Sequence, residues 1–136
     1  MTPMVSTIIF LATVLSQQPD NRQPEARAVA FLVGEVPRWS VENKCYSCHN
    51  NGDAARALFT ARQWGFEVPD SALRDTIDWL TKPDRWEHNG GEGEFSDKRL
   101  ASIQFAAALR TAIDTGLVRD RVSLKQAAEL ERNPSV

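Results

Sequence analysis

Apolar side chains recur along the chain at intervals of three and four, and no stretch alternates over a strand's length, so the pattern predicts helices throughout. Ala28, Phe31, Leu32 and Val36 form the first stripe. Pro24 suits its opening turn and Glu25 the positive end of its dipole, while Pro37 is expected to stop it, which gives a first helix over 24–36. Arg38-Trp39-Ser40 then leads onward, with Ser40 placed to cap a short turn. A second helix is expected from a cap at Asp53 to Trp64, closed by Gly65 in the left-handed position. Its stripe of Ala54, Ala57, Leu58 and Ala61 is narrow and small. Asp70 or Ser71 is expected to cap the third, which carries Leu73, Ile77 and Leu80 and ends by Pro83. The fourth runs from Ser96 or Asp97 to Thr115 with Leu100, Ile103, Ala107 and Ile113, and stops at Gly116. Ser123 with Gln126 has a capping-box spacing and predicts a fifth helix to Arg132. Trp64, Trp79, Phe31, Phe59, Phe66 and Phe105 are expected in the core.

Laid over one another at an offset of 51, helices two and four agree at Ala55, Ala57, Leu58, Thr60, Ala61 and Gly65, which fall on Ala106, Ala108, Leu109, Thr111, Ala112 and Gly116. Pro37-Arg38-Trp39 is echoed by Pro83-Asp84-Arg85-Trp86, and His49-Asn50-Asn51-Gly52 by His88-Asn89-Gly90-Gly91. The fold expected is therefore all-α, about five helices set as tandem helix-loop-helix repeats of about fifty residues.

At 136 residues the chain is one domain. Its net charge of −2 is small and its basic residues are scattered, which sets aside nucleic acid and a polybasic membrane surface as partners. Met1 to Ser16 hold no charged side chain, and the apolar run Val5 to Leu15 is too short to span a bilayer comfortably. Residues 1–16 are thus expected to be a signal peptide, with an uncleaved membrane anchor as the competing reading. Residues 17–23 read as a flexible leader, and 24–136 as the helical domain.

One stretch changes this picture from a helical module to a chemical site. Cys45-Tyr46-Ser47-Cys48-His49 reads C-x-x-C-H, the attachment pattern of a covalent haem, and holds both cysteines of the chain. Two thiols three positions apart can each add to a haem vinyl group, and His49 is then placed as the proximal iron ligand. The only methionines are Met1 and Met4, inside the expected signal, so methionine ligation is absent from a mature chain. His88, the only other histidine, is the candidate second axial ligand, with Lys44 and Tyr46 as remote ones. Trp39 and Trp86, flanking the two histidines, are candidates to pack on the porphyrin edge, with Arg38 and Arg85 near its propionates; closing helix ends against the core is their other reading. Two further chemistries use the same thiols: a zinc site from Cys45, Cys48, His49 and His88, and a dithiol oxidoreductase, which normally needs an α/β fold.

Through Cys45-Tyr46-Ser47-Cys48-His49 the chain resembles c-type cytochromes. The resemblance implies one haem c, thioether links at Cys45 and Cys48, His49 under the iron, assembly outside the cytoplasm in the periplasm, and single-electron exchange with a redox partner protein rather than enzymatic turnover. Bis-histidine ligation is then the expectation, and a haem-based binder of small ligands with an open distal face is the alternative. The helix-pair repeat loosely resembles the α/α repeats of squalene cyclase and prenyltransferase-like proteins, but the acidic catalytic motif of those cyclases is absent.

Overall fold

A computed structural model describes residues 22–90 and 97–132. The expected signal and anchor segment, most of the leader, Gly91 to Gly93 and Ser96 lie outside the described residues. Within them the chain is all-helical: α1 Gln23–Asn43, a π-helical segment Cys48–Ala54 leading directly into α2 Ala55–Gln63, α3 Asp70–Leu80, a 3-10 helix Pro83–His88, α4 Lys98–Asp114 and α5 Val122–Arg132. No strand occurs among the described residues.

Pro37 does not end the first helix. α1 continues through it to Asn43 and closes at Lys44, whose φ of 54° is left-handed. An interior proline removes one backbone bond and costs about 3 kcal/mol, yet packing overrides it here. Val36 is fully buried, and its carbonyl accepts a bond from the Asn51 amide. Ser40, expected as a cap, instead donates its hydroxyl to the Pro37 carbonyl within the helix. Arg38 spans the same turn by ion pairs to Glu35 and Glu42.

The helix expected from Asp53 begins earlier, at Cys48, and its cap is Ser47, whose hydroxyl accepts from the His49 and Asn50 amides. A π turn holds more residues than an α turn, so it rotates the face that follows. The buried face of α2 is accordingly Ala55, Leu58, Phe59 and Ala61, while Ala57 is exposed. Both α2 and α4 end as expected, at Gly65 (φ 83°) and Gly116 (φ 77°). The Phe66 amide reaches back to the Ala61 carbonyl at 3.0 Å and the Leu117 amide to that of Ala112 at 2.9 Å, the Schellman closure in each case.

α3 starts at Asp70 after Pro69 without a side-chain cap. Asp97 caps α4 through the Leu100 amide. At α5 the cap is Asp120 rather than Ser123: its carboxylate accepts from the Val122 amide and the Ser123 hydroxyl, which holds its pKa below the ordinary carboxylate range.

The core joins Val36, Leu58, Phe59, Leu73, Leu80, Phe105 and Leu109, all essentially inaccessible. Trp79 is in it as expected, its ring edge-on to Phe105 at 5.9 Å. Trp64 and Phe31 are not: they are 67% and 66% exposed. Leu100 and Ile103 are also exposed, because α4 buries the adjacent face that carries Phe105, Ala108, Leu109 and Ala112.

Candidate functional site

The five motif residues straddle a helix start. Cys45 and Tyr46 lie in the loop after α1, Ser47 caps, and Cys48 and His49 occupy the first turn. This puts the second thiol and the imidazole on a fixed helical backbone, while the first thiol depends on how the loop is held.

Two asparagines hold it. Asn89 bonds the Tyr46 backbone reciprocally: the Tyr46 amide donates to Asn89 Oδ1 at 2.9 Å and Asn89 Nδ2 donates to the Tyr46 carbonyl at 2.6 Å. Asn51, fully buried, accepts from the Ser47 amide at 3.0 Å and donates to the Val36 carbonyl and the Thr76 hydroxyl, so one side chain ties the motif to α1 and α3. The Tyr46 ring stacks on Trp79, with centroids 4.4 Å apart and planes within 5°. Burial, and then the nearby Asp75 and Asp78 carboxylates, push its phenol pKa up.

Gly90 packs so closely behind this loop that a Cβ there would lie 2.9 Å from the Lys44 carbonyl oxygen. The glycine serves a backbone-to-backbone approach beside the motif. Gly90→Ala is expected to push the two segments apart and loosen the Asn89 pair, at a cost of about 1–2 kcal/mol, as overpacking does. Thiol titration of the folded protein checks this: Cys45 should react faster than in the parent, and an unchanged rate would refute the clamp.

Both cysteines are free and half-buried, and both line a cavity of about 290 Å³ together with His49. Trp39 and Trp86 line it as well, from α1 and the 3-10 helix respectively. Leu100 and Lys98, at the start of α4, complete the wall, with Asn89. His88 is not among the lining residues, and it is exposed. The reason is the 3-10 period: at three residues per turn, Pro83, Trp86 and Asn89 face inward, and Arg85 and His88 share the solvent side. Arg38 and Arg85 also lie outside the cavity lining. Among the described residues no three His, Cys, Asp or Glu side chains stand where they could hold a metal ion together, so Cys45, Cys48, His49 and His88 do not assemble a zinc tetrad.

Asn51, Asn89 and Lys98 were not marked out by the sequence pattern. The signal for the asparagines was present in the two His-Asn blocks, 49–52 and 88–91, each of which contributes one clamp. A second, larger cavity of about 720 Å³ lies between α1 and α2, walled by Val29, Leu32, Ala57, Ala61, Trp64 and Phe66, and contains none of the motif residues. No family model, no curated protein and no solved structure matches this chain.

Proposed function

We propose that the protein is an exported monohaem c-type cytochrome that carries single electrons between redox partners. The observation that carries this reading is that Cys45, Cys48 and His49 line one cavity whose other walls include Trp39, Trp86 and Leu100. Trp39 and Leu100 are 37% and 46% exposed, apolar surface of the kind a flat porphyrin covers. The cavity volume stands at the lower edge of the roughly 300–1,000 Å³ usual for ligand sites, and the donor set of two thiols and one imidazole suits a haem with two vinyl groups.

When bound, the haem supplies a one-electron iron couple. The chain's own groups do the rest. Cys45 and Cys48 would hold the group covalently, each thiol adding across one vinyl group so that its sulfur takes one vinyl carbon and its hydrogen the other. His49 would offer the iron its imidazole from a turn fixed by the Ser47 cap and the Asn51 bonds. Trp39 and Trp86 exclude water from the site. The expectation of His88 as second axial ligand requires its imidazole to leave the solvent side of the 3-10 helix. Its present position favours the second reading, a binder of small ligands whose distal face lacks a histidine.

The repeat organisation is supported by the matching closures of α2 and α4 and by a shared back-bond: the Thr60 hydroxyl donates to the Arg56 carbonyl and that of Thr111 to Ala107, each at 3.0 Å. Export rests on the apolar run Val5 to Leu15, and membrane attachment on that run being retained. No helix among the described residues is long and apolar enough to cross a membrane.

The test is a pyridine haemochrome spectrum on protein expressed with a cytochrome c maturation system in the periplasm. Wild type is expected to keep its haem through acid–acetone extraction, and the double variant Cys45→Ala/Cys48→Ala to lose it. Extractable haem, or none, in the wild type overturns the reading.

A further inference from the structure

The first half of α1 stands away from the core. Val36 is the one fully buried residue of that helix, so Val29 and Leu32 are only half-buried and Ala28 is exposed. Across from them α2 presents Ala57, Ala61 and Trp64, with Ala57 and Trp64 exposed. Small side chains on both helices leave room between them, and the result is the cavity of about 720 Å³, within the size range of ordinary ligand sites. Its end is held in place. Arg22, just before α1, donates through Nη2 to the Trp64 carbonyl at 2.9 Å, and its guanidinium lies 4.4 Å from the centre of the Phe66 ring. The Trp64 indole borders this apolar space while 67% exposed, an aromatic surface of the kind that anchors a ligand ring.

The polar groups of the lining define the ligand. Arg22 and Arg56 stand with Glu25 and Asp53, two charges of each sign, and Arg56 pairs with Asp53 at 3.3 Å. The rim therefore carries no net charge to select an ion. Thr60 and Thr111 are the neutral hydroxyls of the lining. Each has a single proton and gives it to the carbonyl four residues back, Arg56 and Ala107 respectively, at 3.0 Å. Only lone pairs are left, so toward a ligand both threonines accept and do not donate. The Trp64 indole N–H adds a neutral donor. A hydroxyl group both donates and accepts, and carries no charge. We propose that this cavity is a binding site for a neutral phenol, its apolar rings lying between α1 and α2 beside Trp64 and its O–H donating to the threonine oxygens. The site shares no lining residue with the motif cavity, so it stands with or without a haem there.

The test is isothermal titration calorimetry of the purified full chain with three biphenyls at pH 7, below a phenol's pKa of about 10. 4-Hydroxybiphenyl is the neutral donor, 4-methoxybiphenyl has the same rings and oxygen without the proton, and biphenyl-4-carboxylate is the anion. 4-Hydroxybiphenyl should bind one to one, about tenfold more tightly than either of the others, which is the worth of one good hydrogen bond. The double variant Thr60→Val/Thr111→Val keeps the shape of both side chains and should lose that preference, binding the phenol only as tightly as the ether, with affinity for the ether unchanged. Ala57→Phe fills the cavity from an exposed position on α2 and should bind none of the three. Thermal melting of both variants within a few degrees of wild type verifies that the fold is retained. No binding of the phenol by wild type, equal binding of phenol and ether, or tightest binding of the carboxylate overturns the assignment. So does a preference that survives in the double valine variant, or phenol binding that survives in Ala57→Phe, which would place the phenol elsewhere on the molecule.

Discussion

Replacing Asn51 by leucine should lower the melting temperature by about 15 °C. The side chain is fully buried and makes three bonds, to the Ser47 amide, the Val36 carbonyl and the Thr76 hydroxyl. Leucine keeps the same branched skeleton with bulkier methyl tips, so the loss is chiefly polar: a buried donor or acceptor stripped of its partner costs about 1–3 kcal/mol. The Ser47 amide and the Thr76 hydroxyl both lose theirs, giving a total of about 3 kcal/mol. For a domain of this size 1 kcal/mol moves the midpoint by about 4–5 °C, between the ranges for smaller and larger domains. Thr76→Val is the internal control. It removes one of the three bonds and should cost about 1 kcal/mol. Circular dichroism melting of the two variants decides, and equal shifts would show that Asn51 is no junction. Because Asn51 holds the residue that caps the His49 turn, the proposed function further requires the leucine variant to carry less covalent haem per chain.

Phe105→Ala should cost about 4 kcal/mol, within the range for burying no ring where a phenyl stood. Against a typical total of about 5–15 kcal/mol that leaves a marginal fold. Phe105 is 1% exposed and touches two indoles, edge-on to Trp79 at 5.9 Å and tilted against Trp86 at 5.6 Å. Trp86 is also a wall of the motif cavity, so the vacancy should reach the site as well as the core. Near-ultraviolet circular dichroism should lose most of its aromatic signal at 25 °C. Trp64→Ala, a change of larger volume, should move the unfolding free energy by less than about 1 kcal/mol, since surface substitutions usually do. A large loss from Trp64→Ala would return that residue to the core.

These two residues also mark where the sequence could be read and where it could not. Local signals carried: the helical periods, the start of α4 beside Asp97, the closing glycines Gly65 and Gly116, and the grouping of Cys45, Cys48 and His49, which their spacing guarantees. Trp39 and Trp86, candidates for a porphyrin edge, line one cavity although they stand in unlike helices. What failed needed contacts from elsewhere in the chain. Pro37 is a helix stop only until the burial of Val36 and its bond to Asn51 are counted. Trp64 looks like a core residue by chemistry, but the π segment rotates α2 and leaves it in water. His88 looked like the partner of His49 because their neighbours agree in sequence. A period of three rather than 3.6 turns it outward and brings Asn89 in instead. Lys98 had no signal at all, being one cation among sixteen basic residues until α4 is set beside the motif.

The four tryptophans divide in a way that gives the molecule its own optical gauge. Trp39 and Trp86 stand at the motif cavity, Trp79 in the core and Trp64 in water at the far end of α2. A haem is an efficient acceptor of indole excitation, and its effect falls off steeply with separation. Were the haem of the proposed function bound in the cavity, the two cavity indoles would be the most strongly darkened, and the residual emission would be weighted toward the red-shifted, hydrated Trp64. Soluble quenchers such as acrylamide reach that indole first. Emission colour and quencher access thus report, without any label, whether the cavity is filled and whether the core is shut.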